Sequence, residues 1–247
     1  MKLSGNTILI TGGGTGIGLA IAEEFINLNN KVIICGRREE KLNEAKRRMP
    51  MLHTKVCDIT QKSDREELYK WTTENFPALN VLVNNAGIQR ETSFIDGTYN
   101  HEVVCKEIET NLTAPIHLCA LFIPLLTKQK ELSSIINITS GLAFTPLALT
   151  PVYSAAKAAM HSFCLTLRYQ LSRTNIKVFE LIPPIVDTEL DHGARDKRYQ
   201  ADRGIKPREF VGPAMNALNK DIYEAAVGAA SNLWLKREEA FPMLNRW

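Results

Sequence analysis

Thr11-Gly12-Gly13-Gly14-Thr15-Gly16-Ile17-Gly18 follows the first β-rich run of the chain, Thr7–Ile10, and opens a helix-like segment. Glycines let the backbone turn sharply and approach a pyrophosphate, whose charge the amino terminus of a helix attracts. A Walker A loop is excluded, because no Gly-Lys-Ser/Thr follows. A tight loop without a ligand is the alternative. The strand-turn-helix context favours dinucleotide binding, with these expected contacts: Gly12, Thr15, Gly16, Ile17 and Gly18.

Short β-rich runs alternate with helix-like segments beyond this turn. The runs are Thr7–Ile10, Lys31–Cys35, Leu52–Cys57, Val81–Asn84, Ser134–Ile138 and Lys177–Ile182. The helix-like segments are Gly16–Asn29, Arg38–Met49, Gln61–Asn75, Tyr99–Leu126 and Val152–Ser172. The runs are apolar on both faces, which is typical of parallel strands covered by helices on each side. The alternation predicts an α/β fold with a Rossmann-like, doubly wound parallel sheet and ligands at the carboxyl ends of its strands.

The bulk composition limits the class of protein. A chain of 247 residues with 45% apolar content can bury one sizeable core, and no shift in composition marks a linker. We therefore expect a single domain over residues 1–247, with the cofactor-binding half mainly in residues 1–90. The net charge is only +3, with 30 basic and 27 acidic residues interspersed, which argues against a nucleic-acid partner.

Cysteine spacing and hydropathy indicate the compartment. The five cysteines form no close pair and no metal-ligand spacing, so we expect buried thiols, a reducing environment and no metal site. No secretory signal precedes the first strand. The longest apolar stretch, Leu112–Leu126, falls short of the roughly 20 residues that cross a bilayer. These features predict a cytoplasmic protein without a membrane span.

The end of the second strand, Cys35-Gly36-Arg37-Arg38, bears on the choice of cofactor. A carboxylate here would hold the ribose 2′-hydroxyl of NAD, whereas arginines suit a 2′-phosphate. NADP(H) is therefore favoured, and NAD(H) stays possible. Alternatively, Arg37 and Arg38 only begin the solvated face of the next helix. Asp58 and Ile59 close the third strand, where the carboxylate can meet the adenine amino group or cap the following helix.

Tyr153 and Lys157 stand four residues apart in the run Pro151-Val152-Tyr153-Ser154-Ala155-Ala156-Lys157. On a helix this spacing puts both side chains on one face, with an ammonium beneath a phenol. A free tyrosine has a pKa of about 10, and bringing it to about 7 takes roughly 4 kcal/mol. One cation at about 4 Å supplies roughly that much at an effective dielectric constant near 20. A tyrosine and a lysine four residues apart often occur by chance, so the position of the pair in the fold decides whether a catalytic role is favoured.

The fourth strand and its extension read Val81-Leu82-Val83-Asn84-Asn85-Ala86-Gly87. Together with the glycine turn and the Tyr153/Lys157 pair, this segment resembles the single-domain branch of the short-chain dehydrogenase/reductase family. The resemblance extends from Asn6 to about Leu190. It implies a Rossmann-like fold, a nicotinamide cofactor and hydride transfer between a carbonyl and an alcohol. Asn85, Ala86 and Gly87 are then expected to contact the cofactor.

The resemblance implies four catalytic residues. Asn111 matches the asparagine that anchors a proton-relay water, and Ser140 matches the serine that hydrogen-bonds the substrate oxygen. Tyr153 matches the proton donor or acceptor, while Lys157 lowers its pKa and binds the nicotinamide ribose. A hydroxyl and an activated phenol would stabilise and protonate a carbonyl that accepts hydride. Without the family, Asn111 reads as a helix cap or bridge and Ser140 as a turn residue.

The segment Pro183-Pro184-Ile185-Val186-Asp187-Thr188 follows the sixth strand. The resemblance implies that the Val186 backbone fixes the nicotinamide carboxamide and that Thr188 meets the pyrophosphate. Pro184 replaces the usual glycine, so one N–H is lost and φ is fixed near −65°. We expect an altered wall beside the nicotinamide and retained binding.

The carboxyl-terminal part departs further from the family. Many relatives finish with a seventh strand and a Val-Asp-Gly-Gly-like turn, which this chain lacks in sequence, so we expect no seventh strand and doubt the tetramer interface that it builds. The ending and the double proline resemble a bacterial branch of reductases named for an association with teichoic-acid D-alanylation.

The substrate side is expected in the charged region Leu190–Gly212, which family position marks as a substrate lid; a plain surface loop is the alternative. The expected pocket residues are Gln89, Ser140, Leu142, Phe144, Leu147 and Pro184. The helices around Leu112–Leu126 and Ser154–Leu171 resemble the dimer-forming pair of the family. We therefore expect a two-fold homodimer, with a buried core face as the alternative.

Three functions fit the sequence. The first is an NADP(H)-dependent carbonyl reductase or alcohol dehydrogenase acting on a small molecule. The second is an NADP(H)-binding sensor without turnover, against which the complete set of four catalytic residues argues. The third is a structural partner in envelope assembly, which would bind another protein.

Overall fold

Seven parallel strands and nine α-helices make up the computed structural model in the described residues, which are 1–97, 99–190 and 204–245. The strands are β1 Thr7–Thr11, β2 Lys31–Gly36, β3 His53–Val56, β4 Val81–Asn84, β5 Ser133–Ile138, β6 Ile176–Ile182 and β7 Glu224–Ala226. The helices are α1 Gly16–Asn27, α2 Glu39–Arg48, α3 Lys62–Asn75, α4 His101–Ile108, α5 Ala114–Thr127, α6 Pro151–Gln170, α7 Pro207–Asn219, α8 Ala230–Lys236 and α9 Phe241–Leu244.

The strands form one sheet in the order β3-β2-β1-β4-β5-β6-β7. The chain moves outward from β1 to β3, returns to the middle at β4 and then moves to the other edge. The carboxyl ends of β1 and β4 therefore flank the switch point, where doubly wound sheets bind their ligands. The predicted α/β class and doubly wound parallel sheet are confirmed.

Helices cover both faces of the sheet, because the central strands are apolar on both sides. Ile8 and Ile10 of β1 pack in one buried cluster, and Leu9 between them packs in the other. The first cluster contains residues of α1, α2 and α7, and the second contains residues of α3, α5 and α6. This is the two-sided burial that the runs of valine, leucine and isoleucine predict.

The expected absence of a seventh strand is wrong. β7 pairs in parallel with β6, in the register Glu180↔Glu224 and Ile182↔Ala226. The Glu180 N–H donates to the Tyr223 carbonyl at 2.8 Å, and the Val227 N–H donates to the Ile182 carbonyl at 3.1 Å. β7 contains only three residues, of which two are alanine, so it lacks the β-branched and aromatic side chains by which a strand is predicted.

The long helix predicted over Tyr99–Leu126 contains a change of winding. A π-helical turn, Glu109–Thr113, separates α4 from α5 and contains Asn111. Such turns often occur at functional sites. Among the described residues, one helical stretch, His101–Thr127, is long and apolar enough to cross a membrane by length and composition alone. Leu118 and Phe122 of this stretch are fully buried against the sheet, as in a core helix.

Candidate active site

A cavity of about 660 Å³ opens at the carboxyl ends of the strands. Most of the site residues predicted from the sequence line it: Gly12, Thr15, Gly16, Ile17, Arg37, Arg38, Asp58, Ile59, Asn85, Ala86, Gly87, Gln89, Ser140, Leu142, Leu147, Tyr153, Lys157, Pro184, Val186 and Thr188. Three others, Gly18, Asn111 and Phe144, lie outside this lining. The fold therefore brings into one cleft residues that are up to 176 positions apart, from Gly12 to Thr188.

The glycine turn packs against the extension of β4 so closely that side chains do not fit. Gly12 has φ +64°, and a Cβ there would lie 2.8 Å from the Ala86 Cα. A Cβ at Gly18 would lie 2.4 Å from the Asn85 Nδ2, so Gly18 serves helix packing behind the cavity. The Asn85 Nδ2 donates to the Thr11 carbonyl at 2.9 Å, and the Thr11 hydroxyl accepts from the Asn85 N–H at 3.0 Å. These contacts fix the floor of the cleft.

The amino terminus of α1 faces the same cleft. Its first turn contains no acidic side chain, and Thr15 at the N-cap makes no capping hydrogen bond with its side chain in the part of the chain that the structure describes. The first N–H groups of a helix need acceptors, and the helix dipole attracts negative charge to them. The residues present therefore fit a pyrophosphate at this point.

Two arginines border the opening on the side of β2. Arg37 and Arg38 are both exposed and both line the cavity. Arg38 pairs with Glu189 at 2.6 Å and donates to the Thr15 hydroxyl at 3.2 Å, so it reaches across the opening. Asp58, which also lines the cavity, accepts from the Thr60 N–H at 3.0 Å and the Thr60 hydroxyl at 2.8 Å. Its carboxylate thus caps the turn that leads into α3 while one face of the residue borders the cleft.

Tyr153 and Lys157 lie on the face of α6 that borders the cavity. Both are 5% exposed, and the Lys157 Nζ lies 5.6 Å from the centroid of the Tyr153 ring. The Lys157 ammonium donates to the Ile138 carbonyl at 2.9 Å. Burial lowers the pKa of Lys157 to about 8, against the smaller opposing effects of Cys164 and of Glu180. The side chain therefore changes charge close to neutral pH.

Asn111 and Ser140 have structural contacts as well as positions near the cleft. The Asn111 Nδ2 donates to the Ile88 carbonyl at 2.8 Å, and its Oδ1 accepts from the Ile88 N–H at 3.2 Å. This side chain bridges the π-helical turn to the loop after β4. The Ser140 Oγ accepts from the Leu142 N–H at 3.1 Å and caps the 3₁₀ turn Gly141–Ala143. Ser140 also lines the cavity, so its turn role and its place in the cleft coexist.

Phe144, predicted as a pocket residue, lies in the core. It is 3% exposed, and its ring centroid lies 4.5 Å from that of His161. The 3₁₀ turn before it directs the ring toward Ile182 and Ala230. The apolar wall instead includes residues that the sequence analysis did not assign to the pocket: Leu149, Leu190, Leu233 and Leu244. The last two belong to α8 and α9, and no local pattern indicates that these helices return to the cleft.

Glu107 is another residue near the site that sequence reasoning missed. It is fully buried on α4, one turn before Asn111, and its Oε1 accepts from the Arg90 N–H at 2.8 Å. Its Oε2 is buried without a hydrogen-bond partner among the described residues. Burial raises the pKa of the Glu107 carboxyl to about 7, although the Arg90 N–H and charge act to lower it. Glu107 and Asn111 together fix the loop that bears Gln89.

The shifted pKa of Glu107 predicts a pH-dependent stability. The folded chain keeps this proton up to about pH 7, whereas the unfolded chain releases it near pH 4.5, so stability is full below pH 4.5 and falls as pH rises to 7. Glu107→Gln retains a hydrogen-bond acceptor for the Arg90 N–H but cannot be protonated or deprotonated in this pH range. The variant should therefore reduce the pH-dependent loss of unfolding free energy by up to about 3 kcal/mol. Urea unfolding at several pH values measures it, with the exposed Glu102→Gln on the same helix as control. Parallel pH slopes in the wild type and Glu107→Gln would contradict the assignment.

The predicted lid, Leu190–Gly212, is described only in part. Residues 191–203 lie outside the described residues. At their borders, the Asp187 N–H donates to the Ile205 carbonyl at 2.9 Å, and the Ile205 N–H donates to the Ile185 carbonyl at 3.1 Å. The described residues that follow this gap therefore pair with the cavity residues Ile185 and Val186, and Gly212 already belongs to α7.

The fold and the cleft define a doubly wound α/β protein with an uncapped helix amino terminus and a buried tyrosine–lysine pair at one switch-point site. Residues 6–199 match the family described as short chain dehydrogenase. The chain belongs to this family, and it is an oxidoreductase by that membership.

Relatives agree with this placement. The uncharacterized oxidoreductase DltE of Bacillus subtilis (strain 168) is 53% identical over 224 residues, which are 91% of this chain and 88% of DltE. A structure from Burkholderia cenocepacia in complex with NADP has a TM-score of 0.81 at 25% identity, over 96% of this chain and 94% of that one. A Burkholderia phymatum structure in complex with NAD shares the fold, with a TM-score of 0.87 at 18% identity over 100% and 97% of the two chains. The predicted resemblance to the family and its bacterial branch is confirmed.

Proposed function

We propose that the chain transfers a hydride between NADP(H) and a small carbonyl or alcohol substrate. The observation that supports this most is the buried Tyr153/Lys157 pair, which borders the same cavity as the glycine turn and the two arginines. A dinucleotide bound along this cleft would extend from Arg37 and Arg38, past the terminus of α1, to Tyr153. The side chains at both ends of the cleft would then contact the dinucleotide or take part in the reaction.

The cleft residues fit a nicotinamide dinucleotide. Gly12 has no side chain and lies close to Ala86, so a pyrophosphate could approach the backbone of the glycine turn directly. The first turn of α1 supplies N–H donors to it. Asp58 and Ile59 border the adenine end, Val186 and Thr188 border the nicotinamide end, and arginines replace the carboxylate expected for NAD. These features favour NADP(H) over NAD(H). The NADP-bound relative at 25% identity is consistent with this choice.

The proposed division of labour follows from the positions of the side chains. The residues of the cleft would hold a nicotinamide, which would supply or accept the hydride when bound. The Tyr153 phenol donates the proton to the carbonyl oxygen, and the Lys157 ammonium beside it stabilises the phenolate that remains. The Ser140 hydroxyl donates a hydrogen bond to the same oxygen. Asn111 holds the loop after β4 and the π-helical turn in place, as its two bonds to Ile88 indicate.

The proposed substrate pocket is mostly apolar. Leu142, Leu147 and Pro184 border it together with Gln89, while leucines of α8 and α9 close it. Such walls suit a hydrophobic carbonyl compound with few polar groups. We further propose the two-fold homodimer through α5 and α6. The half-exposed Leu165 and the 83% exposed Tyr169 on α6 support it, and light scattering of the protein in solution tests it.

The decisive experiment is NADPH consumption against a panel of ketones, aldehydes and quinones, with NADH in parallel. Turnover that depends on Tyr153 supports the proposal and begins to map the pocket. Tight NADPH binding without turnover of any compound would instead favour the alternative of an NADP(H)-binding sensor without catalytic activity. Binding of neither nucleotide would overturn the proposed function.

A further inference from the structure

Glu180 is a fully buried glutamate in the middle of β6. Its neighbours two and four positions earlier, Val178 and Ile176, are apolar and pack in the cluster below α5 and α6. Side chains at alternate positions of a strand point to the same face, so Glu180 occupies a place where the core calls for an apolar residue. A buried carboxylate is costly unless other groups compensate it. The groups around Glu180 should therefore include hydrogen-bond donors or positive charges that compensate its carboxylate.

Hydrogen bonds hold the Glu180 carboxylate from two neighbouring elements. Its Oε1 accepts from the Thr139 hydroxyl at 2.7 Å, and its Oε2 lies 2.8 Å from the His161 Nδ1. Thr139 stands between Ile138, whose carbonyl accepts from the Lys157 ammonium, and the cavity residue Ser140. His161 lies one helical turn beyond Lys157 on α6. Glu180 thus contacts the supports of both Lys157 and Ser140.

The charged groups around Glu180 come from α6 and β7. Its negative charge favours the charged form of Lys157, which burial disfavours. Cys164 lies on the same helix, but burial raises the pKa of its thiol so far that it stays neutral. Glu224, the register partner of Glu180 on β7, already pairs with Arg168 at 3.1 Å. Glu224 is thus paired with Arg168, whereas the Glu180 carboxylate contacts His161 at 2.8 Å and its charge acts on Lys157 without a direct ion pair among the described residues.

We propose that Glu180 is a positioning residue that supplies the buried negative charge opposite Lys157 and keeps its ammonium charged beneath Tyr153. Thr139 and His161 hold the carboxylate in place for this role. The inference rests on the proposed function for its consequence in catalysis, but the charge of Lys157 is a property of the free protein. It can therefore be tested without any turnover.

The test is the titration of Lys157 itself by NMR, in protein labelled with [ε-¹³C]lysine. The Lys157→Arg variant identifies the signal. In the wild type the midpoint should lie near 8. Glu180→Gln, which keeps the size and hydrogen-bonding capacity, should move it to lower pH by about one unit. Glu180→Met, of similar length and without a charge, provides the same comparison if the glutamine variant does not fold.

A matched control separates the charge of Glu180 from acidity in general. Glu224→Gln removes a neighbouring carboxylate that lies within 4.8 Å of Glu180 and His161 but is neutralised by Arg168, so it should move the Lys157 midpoint less than Glu180→Gln does. Equal midpoints in the wild type and Glu180→Gln, or equal shifts in Glu180→Gln and Glu224→Gln, would overturn the inference.

Kinetics distinguish this inference from the proposed function. With an active substrate, the alkaline limb of the pH–rate profile should move to lower pH in Glu180→Gln by the same interval as the NMR midpoint. A merely structural role would lower the rate equally at every pH. If Glu180→Gln shifts the Lys157 midpoint but the wild type turns over no substrate, the role of Glu180 is supported and the proposed reductase function is contradicted. If the wild type turns over a substrate but Glu180→Gln leaves the midpoint unchanged, the reductase function is supported and the role of Glu180 is contradicted.

Discussion

Replacing Tyr153 with phenylalanine should lower the rate of carbonyl reduction by roughly 10³–10⁴-fold, since it removes the proposed proton donor. Phenylalanine keeps the ring that packs above Lys157 and removes only the hydroxyl. The ring centroid lies 5.6 Å from the Lys157 Nζ, and the ammonium bonds to the Ile138 carbonyl through its own proton. Lys157 therefore keeps its position, and the Kd for NADPH should change by less than about threefold.

The measurement is the single-turnover rate with the best substrate of the panel, together with NADPH binding followed by nicotinamide fluorescence. Tyr99→Phe is the matched control, because it removes a hydroxyl from a 44% exposed tyrosine that does not line the cavity. That variant should react like the wild type. Reduction by Tyr153→Phe at more than a tenth of the wild-type rate would exclude Tyr153 as the proton donor.

The sequence predicts well which residues of the glycine turn and of α6 meet in one cleft, because its signals are local. The turn after β1 requires glycine at Gly12, where φ is positive and a Cβ would meet Ala86. The spacing of Tyr153 and Lys157 fixes one helix face wherever α6 lies in the fold. Each feature is encoded within a few residues. The alternation of strands and helices then determines the edge of the sheet at which they meet.

Other features depend on partners that are distant in sequence. The sequence does not set Glu107 and Glu180 apart from the other glutamates, and only the packing of α4 and of β6 buries them. Their pairing with the Arg90 N–H and with His161 becomes visible once the elements are assembled. Phe144 shows the converse, since an apolar residue near the cleft was directed to the core by the turn before it. β7 was missed because hydrogen bonds to β6, more than its side chains, make it a strand.

Replacing both Arg37 and Arg38 with glutamine should weaken NADPH binding roughly 100-fold while changing NADH binding by less than about threefold. A charge-assisted hydrogen bond contributes about 1.5–3 kcal/mol. Because both arginine side chains are exposed, we take the lower limit for each, and the two bonds together then contribute about 3 kcal/mol. At 1.4 kcal/mol per tenfold, this gives the stated ratio. The lost Arg38–Glu189 ion pair is half-exposed, so its removal should cost the folded state less than about 1 kcal/mol.

The control for this prediction must remove two positive charges at a distance from the cleft. Arg47 and Arg48, at the exposed end of α2, meet this condition, since neither lines the cavity. Titration calorimetry of both double variants with NADPH and NADH then isolates the 2′-phosphate. The Arg47/Arg48 variant should bind both nucleotides as the wild type does. Equal losses for NADPH and NADH in the Arg37/Arg38 variant would mean that these arginines contact a part common to both nucleotides. The preference for NADP(H) would then need another origin along the cleft.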